Sequence, residues 1–61
     1  MNRETWINEA FAELIKAMGP CENLNEQKNL REWAEAIAET YFDEEPAYTP
    51  HDAVWEELSY A

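Results

Sequence analysis

No lysine or arginine follows Arg31 in this 61-residue chain. Residues 32–61 hold nine acids and no base, a net of −9. Residues 1–31 set five acids against four bases, a net of −1, and the formal total is −10. So one-sided a charge repels nucleic acid and anionic membranes, and it costs folding free energy through self-repulsion. It also exceeds the net charge of roughly two to eight that keeps a small domain soluble. Direct binding of nucleic acid is therefore disfavoured, and a basic partner is the natural counterpart.

Other scarcities narrow the field further. Cys21 is the sole cysteine, so no internal disulfide can form, which fits a reducing compartment. Gly19 is the sole glycine, which leaves no glycine-rich phosphate loop. No apolar run approaches the ~20 residues needed to cross a bilayer. The opening MNRETWINEAFAEL carries charges where a secretory leader would be apolar. The amphipathic segments lack the basic face of a membrane-surface helix. A cytoplasmic protein without membrane contact is expected.

What is present is apolar and aromatic. Hydrophobic residues make up 46% of the chain, with three Trp, three Tyr and two Phe, too many for a disordered acidic tail. Sixty-one residues make one domain at most. A chain this short buries only about 60% of its extended surface and is marginally stable.

The periodicity predicts an all-α fold: an antiparallel hairpin of helices at about 3–18 and 24–42, then a short third helix at about 50–59, with dimerisation open. Asn2 caps the first helix, and Ile7, Phe11, Leu14 and Met18 form its apolar stripe, widened by Ala10 and flanked by Trp6 and Ile15. Glu13 precedes Lys16 at pairing distance, and Gly19-Pro20 ends the helix, with glycine in the left-handed position. Asn23 with Glu26 has the form of a capping box for the second helix, and Lys28 can pair with Glu32. Leu30, Ala34, Ile37 and Tyr41 form its apolar stripe, with Trp33 beside them. Thr49-Pro50-His51-Asp52 is a strong helix start, after which Val54 and Leu58 can cover the hairpin.

Metal and catalytic chemistry lack the residues they need. One His and one Cys, thirty residues apart, cannot supply the three or four spaced ligands of a zinc site. Paired Glu-x-x-His motifs and the glycine and alternating acids of a calcium-binding loop are missing. Cys21 has no histidine base in reach, and so short a chain has little volume for a substrate cleft. No cofactor, no metal and no enzymatic activity are expected.

The acids offer a sharper reading. Glu32, Glu35 and Glu39 recur three or four residues apart on the second helix and lead into Asp43, Glu44 and Glu45. Carboxylates at that spacing repeat every 5 to 6 Å or so, close enough to phosphate spacing to occupy Lys/Arg rows that hold DNA or RNA. Asp52, Glu56 and Glu57 could extend the same surface. An ordinary solvated helix face is the plain alternative. Asp43-Glu44-Glu45 also opposes the dipole of the helix it follows, a local conflict that design for stability alone would avoid.

Trp6, Trp33, Trp55, Tyr41, Phe42, Tyr48 and Tyr60 exceed what so small a core encloses. Tyr48 and Trp55 are candidate partner anchors, and seams on two sides of the first helix suggest a homodimer. The acidic run from Glu32 to Glu57, in its short tryptophan-rich frame, resembles the small helical accessory proteins made early by bacteriophages and mobile elements. That class includes inhibitors of CRISPR complexes, restriction enzymes and other host nucleic-acid machinery. The resemblance implies an inhibitor or nucleic-acid mimic and assigns no residue a role. The expected partner is thus a basic protein surface, contacted by Glu32, Glu35, Glu39, Asp43, Glu44, Glu45, Tyr48 and Trp55. A small homo-oligomeric adaptor using exposed aromatics is the alternative.

Overall fold

The computed structural model describes residues 2–19, 23–44 and 48–60. The fold is all-α: α1 (Arg3–Met18), α2 (Leu24–Tyr41) and α3 (Pro50–Ser59). Each helix begins where a side-chain oxygen takes over an amide that the first turn leaves unbonded. The Thr5 amide donates to Asn2 Oδ1 at 2.8 Å, that of Glu26 to Asn23 Oδ1 at 2.8 Å, and that of Asp52 to Thr49 Oγ1 at 3.1 Å. Gly19 closes α1, its amide donating to the Ile15 carbonyl at 2.8 Å. Its φ of 91° and ψ of 168° differ from the expected left-handed helical well and lie in a region open essentially to glycine alone.

Contacts between α1 and α2 run in opposite order along the two helices. Arg3 meets Asp43, the Trp6 ring meets Phe42 edge-on at 5.9 Å between centroids, and Phe11 lies under the Arg31 guanidinium at 6.0 Å. α3 packs on both helices, and Ala53 and Val54 are wholly buried between them. Trp6, Ile7, Ala10 and Leu14 of α1 and Ala34, Ile37, Ala38 and Tyr41 of α2 complete the core. The molecule measures 32 × 23 × 14 Å, so it holds a single buried layer.

The buried stripe of α1 is rotated from the expected one. Trp6, read as a flank and a possible dimer seam, is 3% exposed and sits in the monomer's own core, whereas Met18 is 58% exposed. The cause is the third element. A helix with one neighbour buries a narrow stripe, whereas α1 also carries α3 and the segment leading into it, so its buried arc widens toward Trp6 and Ala10. The Trp6 indole N–H donates to the Tyr48 carbonyl at 3.2 Å, which satisfies the one polar atom that burying the ring would strand. The Tyr41 ring stands edge-on to Tyr48 at 4.8 Å, and its hydroxyl donates to Glu57 Oε2 at 3.3 Å. Tyr41 thereby ties α2 both to the residue that leads into α3 and to the last turn of α3. Among the described residues, no helix is long and apolar enough to cross a membrane.

Candidate interaction surface

Glu32, Glu35 and Glu39 lie on the face of α2 opposite its buried residues Ala34, Ile37, Ala38 and Tyr41. All three are exposed, and none has a hydrogen-bond or ion-pair partner among the described residues. Lys28 forms no ion pair with Glu32, contrary to expectation; ion pairs found among the described residues are Arg3–Asp43, Lys16–Glu13 and, with His51 protonated, His51–Glu13. The row begins beside two cations, since Glu32 and Glu35 border a shallow groove with Phe11, Gln27, Lys28 and Arg31. Negative charge therefore strengthens toward the C-terminal end of the helix.

Beyond that row the candidate acids differ from one another. Arg3 Nε donates to both carboxylate oxygens of Asp43 at 3.2 Å, so the carboxylate nearest the end of α2 is matched by a cation from the start of α1. Glu44 is exposed and unpartnered among the described residues, while Glu45 lies outside them. On α3, Glu57 is half-buried against Tyr41, and half-buried Glu56 accepts from the Tyr60 hydroxyl at 3.1 Å. Burial first, then the Glu57 charge, pushes the Tyr41 phenol above its ordinary range. The hydrogen bond to Glu56 does the same to Tyr60. Asp52, on the outer side of α3, is exposed. The strongest candidates for electrostatic contact are accordingly Glu32, Glu35, Glu39 and Glu44.

The aromatic candidates separate as well. Trp55 is 47% exposed, and Tyr60 is 76% exposed. Tyr48 is half-buried, its ring edge-on to Tyr41 and its backbone carbonyl taken by the Trp6 indole, so that only part of the ring is left for a partner.

A second feature was not legible in the sequence. Trp6, Glu9, Ala12, Glu13 and Lys16 of α1 face Phe42 and the segment from Tyr48 to His51 across an open groove. Its far end is closed by His51, whose Nδ1 lies 2.9 Å from Glu13 Oε2. An ionised carboxylate can only accept, so Nδ1 carries the hydrogen. Lys16 Nζ approaches the other oxygen of Glu13 at 3.5 Å. The His51 hydrogen bond holds the Glu13 carboxyl below the usual carboxylate range, burial opposes it, and the Lys16 charge assists. The sequence placed Glu13 beside Lys16, but His51 arrives from 38 residues away and no local spacing announces it.

Among the described residues, no group of three or more His, Cys, Asp and Glu side chains is gathered as a metal site. Comparison of the chain with protein-family models, with curated proteins and with solved structures gives no match.

Proposed function

We propose that this protein is a non-enzymatic binding protein whose outward face of α2, with Glu44 beyond it, engages a basic site on a nucleic-acid-handling partner. One observation carries the reading: Glu32, Glu35 and Glu39 stand in a row on the outer side of a core-backed helix, with no hydrogen-bond or ion-pair partner among the described residues. Unpaired carboxylates of this kind gain little for the isolated chain, since each adds to the self-repulsion of a −10 molecule. Against a row of Lys and Arg the same groups steer association and displace the phosphates such a row ordinarily holds. In a cell infected by a phage or a mobile element, that chemistry makes an inhibitor or mimic acting on host machinery.

The test is a pull-down from bacterial lysate at low and high salt, with the wild type beside a Glu35→Lys/Glu39→Lys variant. A specific protein should be retained at low salt, released at high salt, displaced by added nucleic acid, and lost from the variant while its helicity is unchanged. Retention that is indifferent to salt and to the double substitution would reject the acidic face.

A second reading has its own support. Met18, Leu24, Trp55 and Tyr60 are large apolar side chains left exposed, as a self-associating adaptor requires. Sedimentation equilibrium separates the two, because the adaptor needs a dimer and the acidic face does not.

A further inference from the structure

We propose that the groove between α1 and the start of α3 is a second docking site, distinct from the outer face of α2, for a peptide segment with a bulky apolar side chain next to Lys or Arg. The two ends of the groove differ. At one end the groove is lined by Trp6, Phe42 and Tyr48, with the Trp6 and Phe42 rings edge-on and Phe42 and Tyr48 only half-buried. At the other, Glu13, His51 and Lys16 satisfy one another's charges and hydrogen bonds. Between them the α1 wall is Ala12, small and exposed, beside exposed Glu9.

Charge complementarity selects the occupant. Of the acids and bases along the groove, Glu13, Lys16 and His51 are matched to one another, and Glu9 has no partner among the described residues. The unmatched charge is negative, so the groove calls for a cation. Glu9 lies three residues from Trp6, with about 5 to 6 Å between their Cβ atoms, so the carboxylate and the ring are neighbours on one helix face. An apolar side chain among the rings and a basic one at Glu9 would together use both halves. An acidic segment would meet Glu9 with like charge, and a purely apolar one would leave that carboxylate uncompensated.

The probe is a fluorescein-labelled decapeptide with one leucine flanked by arginines, titrated by anisotropy and by amide and carboxyl NMR. We expect saturable binding, with shifts at Glu9, Ala12, Phe42, Tyr48 and His51. A leucine-to-serine version of the probe should bind at least about tenfold more weakly, the loss of one buried apolar side chain. Ala12→Trp fills the groove from an exposed helix position and should abolish binding with the fold intact. Glu9→Lys should weaken binding by about three- to tenfold, the range of an exposed ion pair. Glu35→Lys/Glu39→Lys should leave affinity for this probe within about twofold at 0.15 M salt. Absence of saturation at millimolar peptide, or binding untouched by Ala12→Trp, overturns the proposal. Loss in the α2 double variant alone also overturns it, and places the peptide on the acidic face instead. A dimer that Ala12→Trp dissociates overturns it in favour of a second copy of this chain.

Discussion

Gly19 and Glu13 show how single residues hold the C-terminal half of α1. No described residue other than Gly19 has a positive φ, and nothing lies within 4 Å of where a Cβ would stand. Any penalty for a side chain there is therefore backbone strain alone, on the order of 1–3 kcal/mol. Against a total of about 3–9 kcal/mol for a chain of this length, that is a large share. Gly19→Ala should lower the urea midpoint accordingly, whereas D-alanine at the same position in a synthetic chain should match or exceed the wild type, because its mirror-image preference suits the observed φ. Glu13 contributes through protonation. Its folded pKa is depressed below the ordinary 4.5, so its stabilising contribution is complete above that value and is lost as pH falls through the folded pKa. Removing the largest cause, with His51→Ala, should return the Glu13 carboxyl toward 4.5 in a carbon-detected NMR titration. A Glu13 titration unchanged in that variant would deny the hydrogen bond between α1 and α3.

The helices themselves show which physics a sequence carries on its face. Asn2, Asn23 and Thr49 are local signals, each bonding an amide three residues on, and all three starts were legible from them. The acids of α2 were legible for the same reason, since three-four spacing alone puts Glu32, Glu35 and Glu39 on one face. The burial of Trp6 was not, because it depends on a segment 42 residues away. The series Trp6-Ala10-Leu14, large-small-large at four-residue intervals, was the available clue to that rotated stripe. The last turn of α2 is the element where local energetics and proposed role conflict. Glu39 lies in that turn and Glu44 just beyond it, with no basic residue in the turn to offset the helix dipole. Glu39→Lys and Glu44→Lys should each stabilise the isolated protein by about 0.3–1 kcal/mol in urea melts. If both also weaken partner capture, the wild-type acids are kept at a cost in stability; if neither stabilises, Arg3 already compensates that end.

At the scale of the whole molecule, repulsion among carboxylates competes with the three pairs found among the described residues: Arg3–Asp43, Lys16–Glu13 and, when His51 is protonated, His51–Glu13. Exposed pairs contribute roughly 0.2–1 kcal/mol each, and salt weakens them. Among the described residues, the acids after Arg31 have a single Lys or Arg partner, Arg3 on Asp43, so raising salt relieves more repulsion than it removes attraction. With a screening length falling from about 30 Å at 0.01 M to 3 Å at 1 M, charges across a 32 Å molecule cease to sense one another. The thermal midpoint should therefore rise with sodium chloride over that range. The Glu35→Lys/Glu39→Lys variant, at a formal −6 instead of −10, should show a shallower rise. A midpoint that fell with salt would mean that the three pairs, not the surplus acids, dominate the electrostatics.

The indole of Trp6 has a bearing on how the chain is made. Its carbonyl acceptor belongs to Tyr48, so the donor leaves the ribosome 42 residues ahead of the group that receives it. Until Tyr48 has emerged, the indole N–H lacks this acceptor, and the ring has Phe42 beside it but not the segment that leads into α3. Completion of this fold is thereby deferred until Tyr48 and α3 have emerged. A nascent chain stalled before Tyr48 should keep Trp6 open to aqueous quenchers that the finished protein excludes.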